Sequence, residues 1–276
     1  MPTPDQRLTL AEVRRVQLGV LVELDRLCRA AGLAYYLAYG TLLGAVRHGG
    51  FIPWDDDIDV MMPRADYERL LDVFAAAAPS HLTLGCSHTQ AQWPLPYAKV
   101  SDDRTRLWEP FEVPVELGVN IDVFPLDAVP TGWMLRRAQS LELRLLGWAL
   151  ELRYIAADRG RAWHHPVAIT VAKPLLRLVP MERLVRAVER AMRRTRRHRT
   201  ERLGVRVGPE WAVPRSSIVP PSEVDFEGLR CLAPADPDAV LTAVYGDWRR
   251  PPPPGERVSH HAFTAAWRGP GQRPQA

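Results

Sequence analysis

The acidic residues of the first half form the pattern best suited to chemistry. Asp57 and Asp59 flank Ile58 in the segment DDDIDVMMP, and Asp122 lies inside NIDVF. Alternation of acidic and apolar residues predicts a strand from Asp57 to Met62, in which every second side chain points to the same face. The two carboxylates then lie about 7 Å apart along the backbone. We expect a neighbouring strand to bring Asp122 to the same place.

Three carboxylates held together require a cation. Like charges at this spacing repel and raise one another's pKa unless a divalent ion compensates for them. Oxygen-only ligands suit Mg²⁺ or Mn²⁺. We therefore predict that Asp57, Asp59 and Asp122 bind the metal and are catalytic. Asp122 is also the candidate general base, although the sequence does not separate that role from metal ligation.

A second group of residues is suited to binding phosphate. Gly40 and Thr41 open a short helical pattern, where a glycine lets the backbone approach a phosphate and the helix start offers free N–H donors. Arg47 ends that helix and can bind phosphate oxygens in a bidentate manner, or can simply be a solvated surface residue. Lys99 stands in a predicted strand of a chain whose only other lysine is Lys173. We predict that Gly40, Thr41, Arg47 and Lys99 bind substrate, and that the whole site performs phosphoryl transfer.

Simpler interpretations of the acidic run exist. DDDID is also compatible with a solvated turn or a calcium loop, but an EF-hand starting at Asp55 would place Val60 where the turn needs Gly and Asp66 where the bidentate Glu belongs. We interpret Asp55 and Asp56 as residues that cap the turn, outside the metal ligands. Trp54 is either a packing residue or a face for a quaternary ammonium group.

Longer segments resemble the LicD family, which includes fukutin-related protein. They are YLAYGTLLGAVRHGGFIPWDDDIDVMMPRADYERL, PYAKVSDDRT, GVNIDVFPLD and FEGLRCLAPADPDAVLTAVYGDW, in this order. The resemblance implies a nucleotidyltransferase-like fold with Gly40 and Thr41 as the glycine motif and Asp57, Asp59 and Asp122 as metal ligands. It further implies transfer of phosphocholine or a phospho-alditol from a CDP-activated donor to a glycan hydroxyl, as in the modification of lipopolysaccharide or teichoic acid. Transfer of an NMP unit, or a binding module without turnover, remains an alternative.

Periodicity predicts an α/β (α+β) fold, a mixed sheet with flanking helices and a helical insertion. We expect a catalytic core over residues 1–130, a helical insertion over 131–205, a C-terminal segment over 206–250 that packs back on the core, and a Pro-rich disordered tail over 251–276. Predicted helices cover Leu10–Ala31, a short turn after Gly40, Arg64–Ala78, Trp133–Ala157, Val167–Leu178 and Met181–Arg202. Predicted strands cover Ala34–Ala38, Asp57–Met62, His81–Cys86, Tyr97–Ser101 and Gly118–Phe124.

Composition restricts location and partners. The net charge is +4, with arginines crowded over residues 181–202. This basic helix suggests peripheral contact with an anionic membrane, the alternative being a solvated helix packed on the domain. It lacks interleaved aromatics, so we expect no nucleic acid partner. No apolar run reaches the roughly 20 residues of a membrane span, and no signal segment is visible, so we expect a cytoplasmic protein, with membrane association compatible. Three cysteines without CxxC spacing predict buried thiols.

Overall fold

The computed structural model describes residues 7–108, 115–154, 173–197, 201–207, 211–257 and 263–269. Its helices are α1 (Leu10–Ala31), α2 (Tyr39–His48), α3 (Arg64–Ala77), α4 (Trp133–Tyr154), α5 (Met181–Met192) and α6 (Pro237–Tyr245). Its strands are β1 (Tyr36–Leu37), β2 (Asp59–Pro63), β3 (Leu82–Gly85), β4 (Ala98–Trp108), β5 (Leu117–Ala128), β6 (Arg202–Val205), β7 (Val213–Pro214), β8 (Ser222–Phe226), β9 (Leu229–Ala233) and β10 (Thr264–Trp267).

Eight of these strands form one mixed sheet. Its main order is β1-β2-β5-β4-β10, in which β2 and β5 are parallel and the other pairs are antiparallel. Strand β3 also pairs with β4, while β6 pairs with β5 and with β7. Strands β8 and β9 form a separate hairpin. The predicted mixed α/β architecture with flanking helices is confirmed.

Helix α1 covers the centre of the sheet. Its apolar residues recur at helical spacing and are buried, so one stripe of the helix faces the core. Thr9 caps the start in a reciprocal capping box with Glu12, and Gly32 ends the helix with φ 61°, in the left-handed region that favours glycine. Helix α1 packs against β5, whose apolar residues are buried on both faces. The first helix was therefore predicted with its correct bounds.

A separate helical layer consists of α4 and α5. Leu143 and Leu150 of α4 pack against Leu184, Val188 and Met192 of α5 in a second apolar cluster. The apolar side of the basic helix is thus buried within the protein. This arrangement matches the simpler sequence interpretation, a solvated helix packed on the domain.

Several predicted boundaries were wrong. Strand β2 begins at Asp59 instead of Asp57, although the carbonyl oxygen of Ile58 still accepts from the N–H of Asp122 in β5. Side chains of α1 bind the carbonyl oxygens of Ile52, Pro53, Asp55 and Asp56, which holds the preceding chain as a loop. Helix α5 ends at Met192, a 3₁₀ turn follows, and Arg202 already begins β6 in the main sheet. Strands β4 and β5 extend well beyond the predicted ends. Predicted helical residues 155–157 and 167–172 lie outside the described residues.

The expected disordered tail contains a strand. Residues Thr264–Trp267 form β10, antiparallel to the second half of β4, and Ala265 and Ala266 are buried. The sheet edge offers unpaired backbone groups, and this Pro-free tetrapeptide satisfies them. As predicted, Cys28, Cys86 and Cys231 are free and buried. Among the described residues, no helix is long and apolar enough to cross a bilayer.

A buried ion pair joins the start of α3 to the end of β5. Arg64 donates to both carboxylate oxygens of Asp127, at 2.8 and 2.5 Å, and both side chains are buried. Removing one partner would leave the other charge buried without compensation.

Arg64→Leu should therefore lower the free energy of unfolding by about 3–5 kcal/mol. The double variant Arg64→Leu/Asp127→Leu should recover much of this loss, because no unpaired charge remains. Arg26→Leu, which removes the exposed pair with Glu23, is the control and should cost less than about 1 kcal/mol. Urea unfolding measures all three variants. Equal losses for Arg64→Leu and Arg26→Leu would contradict the assigned importance of the buried pair.

Candidate functional site

Strand register places three predicted site residues in a row. Asp59 of β2 pairs with Asp122 of β5, and Asp122 pairs with Lys99 of β4. Side chains at paired positions of adjacent strands point to the same face of a sheet. The central three strands therefore carry two carboxylates and one ammonium group side by side.

Lys99 is bound to the middle carboxylate. Its Nζ lies 2.7 Å from Oδ1 of Asp122 and 3.2 Å from Oδ1 of Asn120. Asn120 in turn donates from Nδ2 to the carbonyl oxygen of Gly118, which fixes the orientation of its amide. Lys99 is buried, and a buried ammonium needs such partners. In this structure Lys99 is paired with Asp122, and its predicted contact with substrate stays a prediction.

Asp59 is a carboxylate under electrostatic strain. It is buried, and burial raises its pKa well above the ordinary value; the negative charges of Asp57, Asp122 and Asp55 raise it further, and Lys99 only partly opposes them. Its backbone N–H donates to Oγ1 of Thr41 at 2.8 Å. This hydrogen bond therefore joins the start of α2 to the start of β2. This contact is different from the substrate contact that the sequence suggested.

The loop before β2 brings together three further carboxylate groups. One oxygen each of Asp55, Asp56 and Asp57 lies within 4.8 Å of the others, a spacing that can hold a metal ion. Asp56 is buried, whereas a residue that only caps a turn would be solvated. The sequence interpretation of Asp55 and Asp56 thus missed that their carboxylates converge with that of Asp57. No sequence spacing marks this convergence, because it arises from the loop conformation.

Two side chains of α1 bind backbone carbonyl groups in the acidic loop, residues 55–57, and in the residues just before it. Arg14 donates to the carbonyl oxygens of Ile52, Pro53 and Asp55. Gln17 donates from Nε2 to the carbonyl oxygens of Asp56, at 3.0 Å, and Asn120, at 3.3 Å.

Neither Arg14 nor Gln17 was predicted as part of the site. The available signal was Gln17 itself, a polar residue on the buried stripe of an amphipathic helix.

Gly40 allows an acidic side chain to approach the start of α2. A Cβ at this position would lie 2.3 Å from Oδ2 of Asp55, far inside van der Waals contact. A carboxylate next to a helix N-terminus is stabilised by the helix dipole. In this structure the group close to Gly40 is the carboxylate of Asp55, and the predicted contact of Gly40 with phosphate stays a prediction.

A pocket opens beside these groups. Its polar wall contains Gln17, Asp56, Asp57, Lys99, Asn120 and Asp122, and its apolar wall contains Val13, Leu107, Val119 and Phe263. Three of the predicted site residues, Asp57, Asp122 and Lys99, line this space. A ligand bound here meets charge on one side and a water-excluding surface on the other.

Arg47 lies at a different place. It ends α2, where Nη1 donates to the carbonyl oxygen of Trp248 at 3.2 Å and Nε donates to Nε2 of His48 at 3.0 Å. It does not line the pocket. Burial and the nearby positive charge of Arg257 lower the pKa of Arg47. Its predicted contact with phosphate stays a prediction.

Aromatic residues surround the acidic group. Tyr245 is 44% exposed as a whole residue, but desolvation of its hydroxyl group raises its pKa, and the charges of Asp59 and Asp55 raise it further. The guanidinium group of Arg257 lies 5.5 Å from the ring centroid of Trp54, the residue considered above for binding a quaternary ammonium group. In this structure the face of that indole therefore meets a cation of the chain itself.

The donor set fits a hard divalent cation. All candidate ligands are carboxylate oxygens, which Mg²⁺ and Mn²⁺ prefer. The mutual repulsion that raises the pKa of Asp59 is of the kind that a bound cation removes. The residues present are therefore chemically suited to the ion that the sequence predicts.

Part of the chain matches a known protein family. Residues 32–113 match the family model described as LicD/FKTN/FKRP, nucleotidyltransferase domain. The resemblance to the LicD family is confirmed. The matched LicD segment contains α2, the acidic loop, β2 and Lys99. Asp122 and the two α1 residues that hold the acidic loop lie outside it.

Two proteins of known name are similar to parts of this chain. Lipopolysaccharide cholinephosphotransferase LicD of Haemophilus influenzae is 38% identical over 126 residues, 45% of this chain and 47% of that protein. Ribitol 5-phosphate transferase FKRP of Homo sapiens is 49% identical over 51 residues, 18% of this chain and 9% of that protein. The alignments thus span less than half the length of these relatives.

The raised pKa of Asp59 predicts a stability change. The folded chain binds the Asp59 proton more tightly than the unfolded chain does, so this carboxyl destabilises the fold above its raised pKa. The penalty disappears as the pH falls below the unfolded value of about 4, where both states are protonated.

Asp59→Asn should therefore raise the melting temperature at pH 8, with a gain that shrinks as the pH approaches about 4. Asp72→Asn, at an exposed position of α3, is the matched control and should change little at either pH. Thermal unfolding by circular dichroism at both pH values checks this. A variant less stable than the natural protein at pH 8 would show that Asp59 is not under electrostatic strain.

Gln17→Leu should lower the free energy of unfolding by about 1–3 kcal/mol, because two backbone carbonyl oxygens lose a donor. Hydrogen exchange at residues 52–58 should become faster, since the acidic loop loses an anchor. Arg15→Leu, at an exposed position of the same helix, serves as the control. Unchanged exchange in Gln17→Leu would mean that α1 does not hold the loop.

Proposed function

We propose that this chain is a metal-dependent transferase that moves phosphocholine or a phospho-alditol from a CDP-activated donor to a glycan hydroxyl. One observation carries the proposal. Asp59, Asp122 and Lys99 stand in register on three central strands, and the acidic loop and a pocket adjoin them. Such a constellation is suited to positioning and neutralising a transferred phosphoryl group.

The relatives support the choice of group. Their printed names describe a cholinephosphotransferase and a ribitol 5-phosphate transferase, two enzymes that move a phosphorylated alcohol. The name of the first also specifies lipopolysaccharide. We extend to this chain the transfer of a phosphorylated alcohol, with a CDP-alcohol as donor and a surface glycan such as lipopolysaccharide or teichoic acid as acceptor.

In the proposed reaction, the acceptor hydroxyl oxygen forms a bond to the phosphorus that bears the alcohol. The bond from that phosphorus to the bridging oxygen of the donor breaks, and CMP leaves with the electron pair. The hydroxyl proton passes to Asp122, our candidate general base. Lys99 holds Oδ1 of Asp122, which leaves Oδ2 as the oxygen that we assign to this proton.

Other residues of the chain support this step. We assign metal binding to Asp57, Asp59 and Asp122, and Asp55 and Asp56 each have a carboxylate oxygen within 4.8 Å of one of Asp57. A bound Mg²⁺ or Mn²⁺ supplies positive charge that offsets the charge of the donor phosphates. The apolar wall of Leu107, Val119 and Phe263 limits water, which would compete with the acceptor hydroxyl.

The proposal predicts loss of activity with retention of the fold. Asp57→Asn and Asp59→Asn should each lower turnover by roughly 10²–10³-fold, because charge stabilisation of the transferred group is lost. Asp72→Asn should retain activity. Calorimetric titration of CDP-choline, CDP-ribitol, CDP-glycerol and CTP, with and without Mg²⁺, should show metal-dependent binding of one CDP-alcohol that Asp57→Asn loses.

Product analysis separates the alternatives. Release of CMP supports transfer of a phosphorylated alcohol, whereas release of pyrophosphate from CTP would indicate nucleotidyl transfer. Near-normal turnover in both aspartate variants would refute the assigned site. Binding of a donor without turnover across the acceptor glycans would favour a module without catalysis.

A further inference from the structure

Helix α4 carries an exposed apolar stripe that lies outside the candidate site. In the part of the chain that the structure describes, thirteen large hydrophobic residues are exposed, and eight of them fall between residues 133 and 178. They are Trp133, Met134, Leu135, Leu141, Leu145, Trp148, Leu175 and Leu178. Such clustering differs from the scattered exposed residues of ordinary surfaces and marks an interaction site.

Helical geometry puts the central residues in line. At 3.6 residues per turn, Met134, Leu141, Leu145 and Trp148 fall within a sector of about 60°. Leu143 and Leu150, which pack against α5, lie on the opposite side of the same helix. Helix α4 is therefore apolar on two faces, and α5 covers only one of them. We call the exposed face, formed by Met134, Leu141, Leu145 and Trp148, the α4 stripe.

The charge around the stripe indicates its partner. Residues 133–154 and 173–197 contain 13 Arg and Lys residues and four Glu residues, whereas the whole chain has a net charge of only +4. Arg136, Arg137 and Arg144 are exposed on α4 itself. Two copies of so cationic a layer would repel each other if their stripes met. An anionic surface would be attracted instead.

We infer that the α4 stripe docks this protein on an anionic membrane surface. Leucine, methionine and tryptophan side chains enter the boundary between headgroups and acyl chains, while the arginines contact lipid phosphates. Trp133 and Trp148 are of the residue type that prefers this interface, because one end is apolar and the other carries a polar N–H. The basic helix predicted from sequence contributes charge to the layer, but its own apolar side is buried against α4.

Vesicle sedimentation tests this inference and needs neither donor nor acceptor, so its outcome is independent of the proposed transfer reaction. The full chain should bind vesicles of phosphatidylcholine mixed with phosphatidylglycerol, more strongly than vesicles of phosphatidylcholine alone. Higher salt should weaken this binding.

Substitutions separate the two contributions. Leu141→Ser/Leu145→Ser should lower the partition constant at least tenfold, because two inserted side chains are lost. Arg137→Gln/Arg144→Gln, two exposed arginines that flank the same edge of the stripe, should lower it roughly fivefold per arginine, on mixed vesicles only. Val22→Ser, at an exposed position of α1, is the control and should bind like the natural protein. Circular dichroism verifies that each variant is folded.

Two outcomes would overturn the inference. One is that the natural protein does not bind mixed vesicles, or that the serine variant binds them equally well. The other is a dimer, detected by light scattering, that the serine variant converts to a monomer while neither protein binds vesicles. The α4 stripe would then be an interface between copies of this chain.

Discussion

Burial of Asp59 among other carboxylates is the constraint on which the rest of this structure depends. Burial raises the pKa of Asp59, the charges of Asp57, Asp122 and Asp55 raise it further, and Lys99 opposes their effect. A protein selected only for stability would not concentrate negative charge at the centre of its sheet. The surrounding contacts hold these carboxylates in place. Sites of this kind give up stability for chemistry.

The restraints act mainly on the backbone. Thr41 accepts from the N–H of Asp59, and Arg14 and Gln17 donate to carbonyl oxygens in or beside the acidic loop. These contacts fix the loop through its backbone and do not themselves occupy carboxylate oxygens. Both α1 residues lie outside the segment that matches the LicD family model, residues 32–113. The conformation of the family segment thus depends on a helix that precedes it.

Alternation of acidic and apolar residues is a local property, so the sequence could predict strands at Asp59 and at Asp122, although Asp57 lies before β2. Sequence reasoning also singled out Lys99 by residue type, and the strand register places its ammonium group at 2.7 Å from Asp122. The loop before β2 could not be predicted, because every residue carries a carbonyl group and composition does not show which of them α1 binds. The same holds for β10, since a four-residue strand exists only where a sheet edge offers partners. The convergence of Asp55 and Asp56 with Asp57 likewise arises from loop conformation.

Opposite charges are kept at opposite ends of the same two strands. Asp59 and Asp122 pair near the start of the parallel ladder, and its last pair is Pro63 with Leu126, next to the ion pair of Arg64 with Asp127. Four residues of strand correspond to roughly 13 Å. The arginine-rich layer attaches near this second end: Glu189 of α5 accepts from Ser87, and Arg193 pairs with Glu68 of α3. This separation matters physically, because arginines close to the carboxylates would neutralise them and displace a metal ion. An anionic surface bound close to the carboxylates would, in turn, repel them. The strand length between the two ends therefore allows one small domain to carry an acidic site and a cationic surface together.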